Sequence, residues 1–310
     1  MEDRLMTIYA KLGYTLLGLF IVLNWGFLMG ATFRKIGARL AGRYGIPFYQ
    51  PWLNLLKNIS IRTTITHGIM YYIGPVFRLT GGVGLFLFMP MVFTGSPNGL
   101  WTNFSFEGDL ILILYFQVFG MLGMALGAGQ GGHPYSAMGI ARGLAQHAAV
   151  ELPLTLAFLS IAIQFDTFSV YKIVEAQQGG FENWILFTNP FAAATIILAM
   201  LGAMGHSPFN LVKAPNEILI GPATEYEGTY LGFMQSAGSI LHVMEAVLFM
   251  NLVFGGANSW IELIVKTFLI YFWSVFVGMV FPRFKIEQSV TWFFKVPLLL
   301  GFLAIIIYSF

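Results

Sequence analysis

Long apolar runs alternate with short polar links along the chain. A helix that crosses the hydrocarbon core of a bilayer needs about 20 predominantly apolar residues. Eight stretches meet or approach that length: approximately 8–32, 68–94, 109–129, 148–165, 184–204, 231–254, 261–281 and 291–310. The second carries Gly74, Pro75, Arg78 and Pro90, and the fourth Glu151 and Pro153; such interruptions are tolerated where neighbouring helices re-satisfy the backbone. Between the first two runs, IPFYQPWLNLLKNI at 46–59 interleaves Phe48, Trp52, Leu55 and Leu56 with Gln50, Asn54 and Lys57. It is too short and polar to span. Its one-sided apolar pattern predicts an amphipathic helix on the membrane face or against a partner, with a plain basic loop as the alternative. The pattern therefore predicts an all-α integral membrane protein: one membrane domain over 1–310 with about eight transmembrane helices, and a cytoplasmic amphipathic segment at 34–66 after the first. Met1, Glu2, Asp3 and Arg4 are not the positive start of a cleavable leader, so the first run is expected to be a retained helix.

Composition supports this picture. The 310 residues are 57% hydrophobic and 10% charged, against roughly 25% charged in an average soluble domain. Surface-to-volume scaling leaves no soluble fold of this size able to hide so much apolar surface. A net charge of +2 gives no footing for nucleic acid, and the absence of cysteine removes disulfides, thiolate chemistry and cysteine-held iron–sulfur clusters from this chain. The position of the charges says more than their sum. Segment 34–66 holds Arg34, Lys35, Arg39, Arg43, Lys57 and Arg62 and no acid. Alternating spans put it on one side with 130–147 (Arg142), 205–230 (Lys213) and 282–296 (Arg283, Lys285, Lys295). The opposite links hold Lys172, with Arg4 and Lys11 near the amino terminus. By the positive-inside rule the richer side is cytoplasmic, which places the amino terminus and Phe310 outside.

Ionisable residues inside spans are costly, about 2.5–3.5 kcal/mol each at a helix centre on insertion scales, and those that persist usually face a partner or a wet path. Arg78, Glu151, His242, Glu245 and Lys266 are the candidates. Lys266 reads as a side chain snorkelling from a helix end, and Arg78 as either structural or functional. Glu151, at the start of its predicted span, follows Arg142 and His147; it either exchanges protons or pairs with Arg142 to fix two helices together. His242 and Glu245 are three apart and share a helix face, suited to a proton relay near pH 7 or to packing. The link 205–230 sets Glu217, Glu225 and Glu227 against Lys213 and adds Pro208, Phe209, Ile218, Leu219, Ile220 and Pro222. It is expected to fold back into protein, where its carboxylates become proton or cation stations. GAGQGG at 127–132 lacks the lysine of a phosphate loop. His133, crowded by Gly131, Gly132 and Pro134, is a poor partner for His147 in a haem site, and no zinc or Ser-His-Asp pattern stands out. No internal repeat is evident, which weakens an inverted-repeat transporter. No long soluble stretch exists to house a catalytic centre.

Several strings together resemble one family, the membrane H subunit (subunit 1) of respiratory complex I, whose relatives serve membrane-bound nickel–iron hydrogenases and related ferredoxin-driven complexes. RGLAQHAAVE resembles the family's Arg-x-x-x-Gln-x-x-x-x-Glu pattern at Arg142, Gln146 and Glu151. SPFNL resembles its Ala-Pro-Phe-Asp-Leu element at Pro208, Phe209 and Leu211, and Glu217, Glu225 and Tyr226 fall where the family has acids after it. PRFKIEQSVTWFFKVPLLL resembles the stretch before the last helix through Pro282, Arg283, Gln288 and Lys295. GRYGIPFYQPWLNLLK resembles the basic segment ending in Gln50, Pro51 and Lys57. The resemblance runs from about 34 to 300.

Departures accompany it. Asn210, Val212 and Lys213 stand where quinone-reducing members have Asp, Pro and Glu; Pro215 replaces a further acid; Ala203 and Gly238 replace two glutamates, with Glu245 seven residues beyond the second. These losses favour a quinone-independent relative, a hydrogenase-type or sulfur-reducing complex, over a quinone-reducing one. The resemblance implies a non-catalytic oxidoreductase subunit in the plasma membrane of a prokaryote. Its partners would be peripheral hydrogenase-like and iron–sulfur subunits, which carry the clusters, and antiporter-like and small membrane subunits. Arg34, Lys35, Arg39, Arg43, Lys57, Arg142, Arg283 and Lys285 would face the redox arm, and Glu151, Glu217, Glu225, Glu227, His242 and Glu245 would form the proton or sodium path. A stand-alone secondary transporter and an inert scaffold are the rival classes.

Overall fold

The computed structural model describes residues 2–63, 67–96, 99, 101–214 and 217–309, with side chains from residue 9 onward. Pro215 and Phe310 lie outside the described residues, as does the Arg4 side chain. The helices are α1 (Glu2–Leu40), α2 (Gln50–Ser60), α3 (Ile69–Phe88), α4 (Asp109–Gln130), α5 (Pro134–Phe165), α6 (Val170–Ala176), α7 (Ile185–Thr188), α8 (Pro190–Ala203), α9 (Gly228–Val253), α10 (Trp260–Val280), α11 (Ile286–Lys295) and α12 (Pro297–Ser309). Among the described residues, seven helical stretches are long and apolar enough to cross a membrane, α11 and α12 together forming the last. The remaining predicted span, 184–204, is built from the single turn α7 and the 14-residue α8. At 1.5 Å per residue α8 alone is about 21 Å long, short of a hydrocarbon core of about 30 Å.

Three boundaries differ from expectation. Helix α1 continues through Arg34, Lys35 and Arg39, so the first half of the basic segment is helical. Helix α5 starts at Pro134, fourteen residues before the predicted fourth span, because a polar first half hides it from a hydropathy reading. Pro134 sits in its first turn, where a missing N–H does no harm, and the His133 ring accepts the Tyr135 N–H at 3.1 Å. Glu151 is therefore mid-helix, on the same helix as Arg142 and His147. The last span breaks at Val296, since Pro297 offers no backbone N–H to continue α11.

Helix α9 is the central post: 89% of its apolar window is buried, against 22% for the α11–α12 run. It touches α1, α2, α3, α8 and α10. The predicted amphipathic segment is the helix α2, which lies across α1 and α9. Trp52 donates to Asn24 Oδ1 at 2.8 Å and Asn58 to Gln235 Oε1 at 3.2 Å, while Leu53, Leu56 and Ile59 stay exposed. Helices α3 and α4 meet along a glycine seam. A Cβ on Gly74 would lie 2.7 Å from the Gly123 carbonyl oxygen, one on Gly81 2.8 Å from the Gly120 nitrogen, and one on Gly123 against Gly74 O and Arg78 N. Small residues of this kind let membrane helices approach backbone to backbone.

Side-chain amides staple the end of the bundle built from residues 89–109, 166–189 and 254–259. Gln177 donates to Asn251 O at 3.0 Å and accepts from Ile185 N and Gly255 N, both at 3.2 Å. Asn251 donates to Pro90 O at 2.9 Å, and Asp109 accepts from Val170 N and Ser105 Oγ, both at 2.7 Å. Lys266 belongs to this end. It donates to the Phe254 and Gly256 carbonyls at 2.9 and 2.6 Å and pairs with Glu262 at 2.7 Å, so its role is to tie the α9–α10 turn.

Candidate functional site

A cavity of about 570 Å³ runs between α1, α3, α4, α5, α9, α10 and the link after α8. Helix α9 contributes His242 and Glu245, α3 Arg78, α4 Gln117, α5 Gln146 and His147, α1 Arg34, α10 Tyr271, and the link His206, Asn210 and Lys213. Glu245 is the one carboxylate among the wall residues, and its Oε2 lies 3.5 Å from His242 Nδ1. The rings of His242 and His206 are 6.0 Å apart, Tyr271 packs edge-on to His206 at 5.1 Å, and His206 Nδ1 meets Ser274 Oγ at 3.0 Å. Protonatable groups thus form a file from α10 through the link to α9.

The wall is short of partners. Buried Arg78 Nε, Gln117 Oε1, Gln146 Oε1 and His147 Nε2 make no hydrogen bond among the described residues. The space at Gly238, where the family resemblance leads one to expect a glutamate, is taken by Arg78: a Cβ there would stand 3.2 Å from its NH2 group. Glu245, two turns further along α9, is the charge that supports Arg78 electrostatically. In the link, burial followed by the charges of Arg78 and Arg34 pushes the Lys213 ammonium down to about 8. Its surface is open, and it lies on the cavity wall. Burial, then His242 and Lys213, push His206 down to about 3.

The other predicted stations lie elsewhere. Glu151 is half-buried with His147 Nε2 at 4.0 Å, and it lies off the cavity wall. Glu217 is exposed rather than buried: the loop's apolar residues turn inward at Phe209, Leu211 and Ile218, which turns Glu217 outward. There Arg142 holds it at 2.6 Å and Arg283 at 3.4 Å, and the Arg142 hydrogen bond keeps its carboxyl below the usual range. The pairing of Arg142 with Glu151 weighed from the sequence does not form; both are on α5 and Arg142 reaches the link instead. Glu225 faces His67 at 3.7 Å, and its carbonyl accepts from the Tyr71 hydroxyl at 3.3 Å. Glu227 precedes α9 beside Tyr71. The stacked pair Tyr71–Tyr226, with ring centroids 4.4 Å apart, closes this second cluster, and the Tyr226 hydroxyl donates to Tyr71 O at 2.9 Å. Burial raises the Tyr226 phenol well above its ordinary value.

Of the expected basic face, Arg39, Arg43, Lys57 and Lys285 are exposed. Lys35 lies 3.9 Å over the Phe48 ring, Arg34 is exposed at the cavity, and Arg142 and Arg283 are half-buried around Glu217. Sequence reasoning missed His206, Asn210, Gln117 and Tyr271. A single glutamine inside the apolar run 109–129 is the signal that Gln117 offered.

The fold and the cavity define a multi-pass helical membrane protein built around a charged internal chamber. Comparison with known proteins narrows the class. Residues 13–309 match the family model described as NADH dehydrogenase. The NADH-quinone oxidoreductase H subunit of Campylobacter jejuni is 29% identical over 267 residues, 82% of this chain and 80% of that protein. An NADH-quinone oxidoreductase H subunit of Symbiobacterium thermophilum is 25% identical over 279 residues, 85% and 82% of the two chains. A chain in the structure of the membrane-bound sulfane sulfur reductase, an archaeal respiratory membrane complex, superposes with a TM-score of 0.87 and 30% identity, covering 96% of this chain and 99% of its own. The chain belongs to the H-subunit family of complex I and is a membrane component of a complex I-related respiratory complex.

Proposed function

We propose that this protein anchors a peripheral iron–sulfur redox arm and couples its electron transfer to proton or sodium translocation in antiporter-like neighbours, in a prokaryotic plasma membrane with the amino terminus outside. The observation that carries the coupling role is the file Glu245–His242–His206 in a cavity that also holds Arg78 and Lys213. A carboxylate whose charge state depends on neighbouring cations changes proton affinity when those neighbours shift. The exposed Arg39, Arg43, Lys57 and Lys285 supply the docking face. The sulfane sulfur reductase likeness supports a hydrogenase-type or sulfur-reducing assembly over a quinone-reducing one, in keeping with Asn210, Val212 and Lys213 in the link.

The test is Glu245→Gln in the purified complex, reconstituted in sealed vesicles. Subunit composition and redox turnover should persist while ion uptake falls about tenfold or more; uptake that keeps pace with the unmodified complex removes Glu245 from the path. Glu151→Gln, beside His147, is the second arm of the same experiment. Charge reversal at Arg43 and Lys57 should strip the peripheral arm from washed membranes.

A further inference from the structure

The cavity wall carries more positive charge than the chain neutralises. Arg34, Arg78 and Lys213 all line it, and the side chains of all three lack a salt bridge or hydrogen bond among the described residues. Even with Glu245 ionised, two of the three charges are unanswered. Arg34 and Lys213 are exposed at the cavity and Arg78 is buried; a buried cation is expensive unless something pairs with it. Arg78 is deeply buried, with only 6% of its surface exposed, and its Nε has no acceptor. The three cations sit on three different elements, α1, α3 and the link after α8, so they surround a shared space and cannot be read as one solvated face.

We propose that this cavity binds an anionic group of the phosphate type, held between Arg34, Arg78 and Lys213. A guanidinium fork and an ammonium are the donors that recognise tetrahedral oxyanions. The chamber falls in the size range of small-molecule sites. It has room for a phosphate together with a water shell, or with the start of the molecule that carries it. Met29, Met121 and Phe33 add an apolar wall that suits an attached acyl chain or leaves a free ion to its waters. The depressed Lys213 ammonium fits the same account, because its proton is held against two neighbouring cations until an anion offsets them. This inference goes beyond ion coupling and stands whether or not Glu245 carries protons.

The shared chemistry has two sources, a phospholipid headgroup or free phosphate, and the experiment separates them. The whole complex is purified in detergent, and retained phosphatidylglycerol is counted by native mass spectrometry. The delipidated complex is then titrated with inorganic phosphate against potassium chloride of equal ionic strength, with thermal unfolding as the readout. Retention of the lipid assigns the headgroup; a phosphate-specific rise in Tm without lipid assigns the free anion. In either case Lys213→Gln and Arg34→Gln should weaken binding about tenfold or more, while Lys172→Gln, at the stapled end, leaves it unchanged. The proposal is overturned if neither probe binds, if binding survives both cavity variants, or if Lys172→Gln weakens it equally. The two cavity variants are accessible side chains, so neither depends on replacing the deeply packed Arg78.

Discussion

Two groups of buried polar side chains in this bundle are treated in opposite ways, although the Tyr171 hydroxyl at the stapled end also has no hydrogen-bond partner among the described residues. At the stapled end, Gln177, Asn251, Asn189 and Asp109 are buried and every one is engaged with backbone or side-chain partners. Around the cavity, Arg78, Gln117, Gln146 and His147 keep buried atoms that make no hydrogen bond among the described residues. Buried polar groups that are satisfied hold a fold in one arrangement, whereas unsatisfied ones are stable only where a ligand, water or proton completes them. The difference separates polar groups that fix helix positions from polar groups left to meet a ligand, water or proton.

Substitutions should divide along the same line. The largest loss is expected for Gln177→Leu, which leaves the Asn251 carbonyl and the Ile185 and Gly255 N–H groups unpaired. At roughly 1–3 kcal/mol for each orphaned group, the protein should fail to accumulate in membranes. Normal accumulation would break the contrast. Gly123→Ala comes next. Its methyl meets the backbone of Gly74 and Arg78, and separating α3 from α4 should cost about 1–3 kcal/mol, read as a lower Tm of the purified complex.

His206 gives a smaller, pH-dependent effect. Its folded value, about 3, lies below the ordinary 6.5. Between those values the unfolded chain holds a proton that the folded one lacks, so stability rises with pH across the window and is flat above it. His206→Gln should lessen the rise of Tm with pH between about pH 4 and pH 6, without removing the contributions of other buried groups. Arg142→Gln should do least to stability, within about 0–1 kcal/mol for an exposed pair. It should nonetheless speed proteolysis of the 205–227 link, since Glu217 then keeps only Arg283.

Uniformly apolar spans were legible in the sequence: runs such as 109–129 and 261–281 match α4 and α10 almost to the residue. The cavity half was blurred for a physical reason. Helix α5 spends its first half supplying Arg142, Gln146 and His147 to polar surroundings, so hydropathy there reads as a link. His242 and Glu245 were identifiable as charge on an apolar helix. The link acids were not, because the inward or outward turn of Glu217 depends on which of its neighbours, Ile218 or Leu219, finds the core. Leu219 and Ile220, expected to turn inward, are exposed.

The glycine seam also decides how the chamber can change shape. Helices α3 and α4 touch through main chain along that line, so no rotamer there can swing away, and the pair behaves as a stiff plate. Methionines face the chamber from both sides, Met121 and Met124 on α4 and Met29 on α1 with Met279 on α10, and such thioether chains repack at little cost. A change of chamber shape that keeps this seam closed must therefore come from side chains turning or from the other helices shifting, with the α3–α4 backbone contact as the fixed reference.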